Sequence, residues 1–287
     1  TDPQVRIEAF KNLEAAHHPV LYVSMLSSVC IALAPLAETD KVVLMGLSTS
    51  APKLTEQRKW VFRYWPLATN EAPPILMILQ ELRVRKLGLL YLNDEYGKSV
   101  LESIKGEFEK TNGKVVSRTF EVGETNYRDQ IEELKDTEAI FVVGFPSHFL
   151  IILKQLKEED FQGHILATSS SSDPSITGMP EANSMYLAAP MVYNPNFPFS
   201  QKVGKKFEAR FARSFNHFAA NGYDLITLLA GLLEGEEISR ETVRRVLESD
   251  FVYSGVFGTL DKKTGEHDIG FPLHPAQIIA GELEYLR

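Results

Sequence analysis

Four places along the chain put hydroxyl or aromatic side chains where an apolar run gives way to a helix-like stretch. They are Leu26-Ser27-Ser28, Ser48-Thr49-Ser50, Asn93-Asp94-Glu95-Tyr96-Gly97 and Gly144-Phe145-Pro146-Ser147. If the apolar runs are parallel strands, these turns lie at strand carboxyl ends, where open α/β sheets bind ligands. Serine hydroxyls and unpaired backbone N–H groups at a helix start suit an anion, often a carboxylate. The same serines also suit plain helix caps, so Ser28 and Ser50 keep both readings.

Signatures for covalent or metal chemistry are absent from the sequence: no Gly-x-Gly-x-x-Gly, no phosphate loop, no His-Glu-x-x-His and no cysteine pair. His17-His18 resembles a metal pair, but neighbours on a helix diverge, and an exposed helix end explains them better. His148 opens a helix after a strand, a place used by binding residues; a solvated polar role is the simpler expectation. Glu158, Glu159 and Asp160 read as a solvated helix end. Cys30, the one cysteine, sits in Val29-Cys30-Ile31-Ala32-Leu33 and reads as a small buried hydrophobe. One cysteine allows no disulfide within the chain.

The elements that must position these groups follow from composition and periodicity. The 287 residues suffice for two domains of ordinary size, and 44% hydrophobic with 24% charged residues is a globular balance. Thirty basic against 38 acidic residues give a formal charge of −8 with no basic run, which argues against nucleic acid or an anionic membrane as partner. Residues 20–37 carry no charge, yet Ser24, Ser27, Ser28 and Pro35 make them a strand, turn and helix rather than a membrane span. The chain opens on Thr1-Asp2-Pro3 with no signal peptide, so it is expected to be cytosolic, mature or trimmed.

Asp2 and Pro3 predict a capped helix with Val5, Ala9, Phe10 and Leu13 on one face. Strands are expected at 20–25, 41–47, 61–65, 86–92, 114–120, 139–145, 164–168 and 185–189. Helices are expected at 28–38, 72–83, 95–111, 126–135 and 147–157. Ser169–Ser172 reads as a loop. This alternation argues for parallel α/β sheets. After Met191 the pattern changes: a Pro- and Asn-rich crossing at 192–200, helices at 201–215, 223–234 and 240–247, then strands at 258–261, 277–280 and 284–286.

The order of these motifs resembles type I periplasmic solute-binding proteins, and among them the branched-chain amino acid receptors of ABC transporters. Asp2-Pro3-Gln4-Val5 through Leu13 resembles their second helix. Leu26-Ser27-Ser28 with Ala34-Pro35-Leu36-Ala37-Glu38 resembles their first ligand loop and helix. Ser48 to Thr55 followed by Val61-Phe62-Arg63 is similar to the second loop and its strand. Leu90 to Gly97, Gly222-Tyr223-Asp224 and Gly255 to Gly265 match later motifs, so the likeness spans nearly the whole chain.

The resemblance implies two lobes, each a mainly parallel sheet flanked by helices, that close on a small polar ligand. It places residues 1–82 and 191–272 in an incomplete N-terminal lobe, and 83–190 and 273–287 in the C-terminal lobe. It implies a ligand carboxylate held by Ser28, Ser48 and Ser50, aromatic contacts from Tyr96 and Phe145, and a further contact near Ser169. It further implies a non-enzymatic receptor without cofactor, partnered by an ABC permease, in the periplasm or on the outer face of a bacterial or archaeal cell. A ligand-sensing domain of a signalling receptor is the alternative use of the same fold.

Two departures from the family pattern stand out. The family's acidic partner for a ligand ammonium falls where this chain reads Ala167-Thr168-Ser169-Ser170-Ser171-Ser172. A buried ammonium needs a counter-charge, so an uncharged ligand or an amine-free carboxylate is expected unless Asp94, Glu95 or Asp173 substitutes. The strand-helix-strand that usually precedes the Asp-Pro helix is also missing. Its loss is expected to expose the edge of the 20–25 strand, so either the sequence is truncated or something else covers that edge, such as a strand from a second copy of the chain.

Overall fold

The computed structural model describes residues 2–286. In chain order the elements are α1 (Pro3–His17), β1 (Leu21–Met25), α2 (Ser27–Asp40), β2 (Val43–Leu47), β3 (Val61–Tyr64), α3 (Ala68–Glu81), β4 (Lys86–Leu92), α4 (Glu95–Lys110) and β5 (Lys114–Phe120). There follow α5 (Arg128–Leu134), β6 (Ala139–Val143), α6 (Pro146–Glu158), β7 (His164–Ala167), α7 (Pro174–Thr177), β8 (Tyr186–Pro190), α8 (Pro198–Phe211) and α9 (His217–Leu232). The last are α10 (Arg240–Glu248), β9 (Phe251–Gly255), β10 (Gly258–Lys262), β11 (Asp268–Ile269), β12 (Leu273–Ile279) and β13 (Glu282–Tyr285).

The chain forms two compact units. The first runs to Leu67 and takes in Phe218–Phe271; the second comprises Ala68–His217 and the chain from Pro272 onward. The resemblance grouped residues 68–82 and 191–217 with the first part of the chain; their contacts group them with the second unit. The reason is packing. Ala72, Ile75, Ile78 and Leu79 of α3 bury against Leu87 and Leu89 of β4, Ala188 of β8 and Val100 and Ile104 of α4.

In the first unit the sheet order is β1-β2-β3-β11, all parallel, with β9 and β10 as a separate antiparallel hairpin. Its core joins Phe10 of α1, Val29, Cys30 and Leu33 of α2 and Leu44 of β2. Cys30 is fully buried, and burial pushes its thiol up to about 12. β2 reads Val-Leu-Met-Gly-Leu and is buried throughout, as a strand covered on both faces must be. Among the described residues β1 ends the sheet with no strand on its outer side, and Val23 on it is exposed.

In the second unit a seven-stranded sheet runs β13-β12-β8-β7-β6-β4-β5. The strands from β5 to β8 are parallel, and β12 and β13 are antiparallel additions. Separate apolar clusters cover its two faces. One holds Phe120, Ile140, Val142, Phe149 and Ile152, the other Leu87, Leu89, Ile104, Phe141 and Val143.

Local signals explain most element ends. The Asp2 carboxylate accepts from Gln4 N at 2.8 Å, with Pro3 opening α1. Asp94 caps α4 by accepting from Gly97 N at 2.9 Å. A Cβ on Gly97 would sit 1.9 Å from the Leu92 carbonyl oxygen, so the tight strand-to-helix turn requires glycine there. α3 begins a turn before the expected position and runs through Pro73 and Pro74, because its buried apolar face offsets the two lost backbone bonds. The expected loop at Ser169–Ser172 is a short 3₁₀ turn. β9, β11 and the one-turn α7 were not foreseen from periodicity, being too short or too irregular to show one.

Candidate functional site

In the first unit, Leu26 adopts a left-handed backbone (φ 72°) that turns the chain from β1 into α2. Ser27 and Ser28 then occupy the first helical positions, where backbone N–H groups lack helical partners. Ser27 is buried, and its Oγ accepts from the backbone N–H groups of Ser50 (3.2 Å) and Ala51 (3.3 Å). That contact ties the turn after β2 to the start of α2. Ser28 is half-buried, and its hydroxyl has no protein partner among the described residues.

The Ser48-Thr49-Ser50 turn is fixed from two more sides. Ser48 has a left-handed backbone (φ 48°), and its N–H and Oγ both donate to Asn221 Oδ1, at 3.0 and 3.2 Å. Asn221 Nδ2 donates to the Tyr64 carbonyl at 2.9 Å. Beneath the turn lies Arg63 of β3, 0% exposed. Its Nη1 donates to the carbonyls of Thr49 (3.2 Å) and Ala51 (2.8 Å), and its Nη2 to Thr55 Oγ1 (2.9 Å) and the Pro52 carbonyl (3.4 Å). Its Nε meets Asp268 Oδ1 at 2.7 Å. Burial lowers the guanidinium pKa, and Asp268 works against that fall. Ser50 is buried, and its Oγ keeps no protein partner among the described residues. Among the described residues the braced turn and the adjacent helix start therefore hold three uncommitted hydroxyls, those of Ser28 and Ser50 and the buried one of Thr49. Ser48 is spent on bracing.

In the second unit, Tyr96, Phe145 and Ser169 all follow strand carboxyl ends, those of β4, β6 and β7. Tyr96 and Phe145 stack with centroids 5.5 Å apart and 20° between planes. Phe145 is held by its own helix: its N–H donates to His148 Nδ1 at 3.1 Å. His148 is thus a buried positioning group rather than a solvated one, and burial lowers its pKa, so it stays neutral at pH 7. The Tyr96 hydroxyl donates to Thr168 Oγ1 at 2.8 Å, and Thr168 pairs with Ser170 at 3.0 Å.

Ser169 is buried and faces Glu71 of α3. Its N–H reaches the two carboxylate oxygens at 3.1 and 3.3 Å, and its Oγ donates at 2.5 Å. Glu71 is 1% exposed, and burial pushes its carboxyl up to about 7 against the pull of Ser169. The carboxylates considered from sequence are occupied elsewhere. Asp94 caps α4, while Asp173 caps α7 through Ser175 and lies 3.5 Å from His217 Nδ1. For Asp173, His217 and Ser175 outweigh burial and lower its pKa.

Sequence reading missed Arg63, Asn221 and Glu71 as parts of these surfaces, and within Leu26-Ser27-Ser28 it singled out Ser28 rather than the bracing Ser27. For Glu71 a signal existed: it falls on the stripe with Ile75, Ile78 and Leu79, so its spacing buries it. His17 and His18 lie exposed at the end of α1, and no group of three potential metal ligands occurs among the described residues. Glu158 and Glu159 pair with Arg128 at the surface.

Over residues 1–282 the chain matches the profile of the periplasmic binding protein family, and it belongs to that family. The leucine-binding protein LivK of Thermotoga maritima MSB8 shares the fold at a TM-score of 0.88 and 17% identity, over 100% of this chain and 84% of that one. The LivJ substrate-binding protein of Streptococcus pneumoniae, solved with isoleucine, gives 0.86 and 18% over 99% and 83%. An ABC-transporter solute-binding protein of Rhodopseudomonas palustris, solved with benzoate, gives 0.89 and 16% over 99% and 81%. Among curated proteins none matches the chain. The family's members bind solutes outside the cytoplasm without transforming them. Among the described residues no helix is long and apolar enough to cross a membrane.

Proposed function

We propose that this protein is an extracytoplasmic receptor that binds an amino acid or a related small carboxylate and delivers it to an ABC permease. The observation that carries this reading is the braced serine turn of the first unit. Ser28 and Ser50 retain free hydroxyls beside the unpaired N–H groups of α2, an arrangement suited to a carboxylate. Ser48 shapes the turn through Asn221. In the second unit Tyr96 and Phe145 offer a stacked aromatic surface, and Ser169 a polar contact. The structural neighbours solved with isoleucine and with benzoate are consistent with a carboxylate-bearing ligand.

A thermal-shift panel of L-leucine, L-isoleucine, benzoate, 4-methylpentanoate and neutral sugars tests the reading. A carboxylate at a hundred times its Kd stabilises by about 2.7 kcal/mol. Stabilisation by the sugars alone would contradict a carboxylate site. Product formed from any bound member would contradict a receptor without catalytic activity.

A further inference from the structure

The hydroxyl protons of Tyr96, Thr168 and Ser169–Ser172 are all committed. Ser170 Oγ donates to the Gly144 carbonyl at 2.6 Å, so in its 3.0 Å contact with Thr168 it is the acceptor. Thr168 donates there and accepts from Tyr96 at 2.8 Å. Ser171 donates to the Thr168 carbonyl at 2.8 Å and Ser172 to the Ser169 carbonyl at 2.6 Å. The direction of the chain Tyr96 to Thr168 to Ser170 to Gly144 is therefore fixed. What these groups have left to offer is lone pairs.

Ser169 is the variable member, because its proton goes to a titratable group. Glu71 takes both Ser169 donors, and no basic side chain pairs with it among the described residues. The titratable group that senses its charge from the elements packed on α3 is a phenol, Tyr96 of α4; β8 brings Ala188 and β12 Leu273 to the same apolar cluster. A buried carboxylate without a counter-cation must hold a proton or await a positive partner.

We propose that Glu71 is a positioning residue that sets the hydrogen-bond polarity of Ser169, so that with Glu71 ionised this unit selects ligand groups that donate, a cationic amine foremost. The inference rests on the receptor reading above. With Glu71 ionised, Ser169 Oγ–H points to the carboxylate and the oxygen's lone pairs face a ligand. With Glu71 protonated, the carboxyl donates to Ser169 Oγ, and the serine proton is released for a ligand acceptor. One carboxyl proton thus exchanges one ligand preference for the other. Glu71 also supplies the negative charge missing from the Ser169–Ser172 strap itself.

The matched pair L-leucine and 4-methylpentanoate, which differ by the amine, tests this by calorimetric titration at pH 6 and pH 8. A carboxyl titrating at about 7 is roughly one-tenth ionised at pH 6 and nine-tenths at pH 8. The Kd for leucine is then expected to tighten about tenfold over that range, with proton release, while that for 4-methylpentanoate does not tighten. Glu71→Gln keeps the shape and is expected to abolish the pH dependence. Ser169→Ala removes one donor to the carboxylate and is expected to move the midpoint upward.

A leucine affinity equal at both pH values, or a pH dependence that survives Glu71→Gln, overturns the proposal. If nothing in the panel binds, the receptor reading fails separately. Glu71 is then read by carboxyl ¹³C NMR of the unliganded chain. A resonance titrating near neutrality and lost in Glu71→Gln supports the assignment, and one ionised throughout pH 5–8 overturns it.

Discussion

Two buried charges carry the two surfaces, and they behave oppositely. Arg63 is charged and saturated, with three carbonyls, Thr55 and Asp268 around its guanidinium. Arg63→Met removes the donor from all of them at once and is expected to destabilise the first unit by about 3 kcal/mol, read by urea denaturation. A change below 1 kcal/mol would mean the turn is held without it. Glu71 is under-compensated. Its folded pKa of about 7 lies above the ordinary carboxyl value, so folding favours the protonated form. Its contribution is fully present below about pH 4.5 and is lost as pH rises through 7. Glu71→Gln is therefore expected to be more stable than the parent at pH 8, by about 3 kcal/mol, with the gap closing at pH 4.5. His148 has the other sign. Its pKa is lowered by burial, so its contribution is present above about 6.5 and fades on acidification.

The elements follow local rules closely enough to be tested one by one. Asp2→Ala deletes the acceptor for Gln4 N and is expected to cost about 1 kcal/mol. Gly97→Ala places a methyl against the Leu92 carbonyl and is expected to cost about 3 kcal/mol, since backbone rather than a flexible side chain must yield. Equal melting temperatures for parent and Gly97→Ala would contradict that geometry. The strand-helix alternation was legible because buried strands such as β2 and β6 are apolar throughout and α1 and α4 carry their own caps. The serine turns and Tyr96 were legible as strand-end groups. Arg63, Asn221 and Glu71 were not, because each acts across the fold: Asn221 reaches Ser48 and Glu71 reaches Ser169 over long stretches of chain. His148 was misjudged because a polar residue at a helix start is usually wet, whereas Phe120 and the Phe145 backbone enclose this one.

At the scale of the whole molecule, the two units have separate cores, and the chain passes between them at residues 67/68, 217/218 and 271/272. Sequence patterning located the helices at these passages but not their allegiance. Which unit α3 joins depends on the strands its apolar face meets, and periodicity does not specify those. The net charge of −8 suits a soluble carrier of small molecules better than a binder of polyanions. In the proposed function, the braced turn of Ser28 and Ser50 receives a ligand carboxylate. The most direct measurement is calorimetric titration of the carboxylate panel into the parent chain and into Ser50→Ala at pH 8. One equivalent of a carboxylate is expected to bind the parent, and to bind Ser50→Ala at least tenfold more weakly, the loss of about one charge-assisted hydrogen bond. Equal affinity in the two proteins would contradict it.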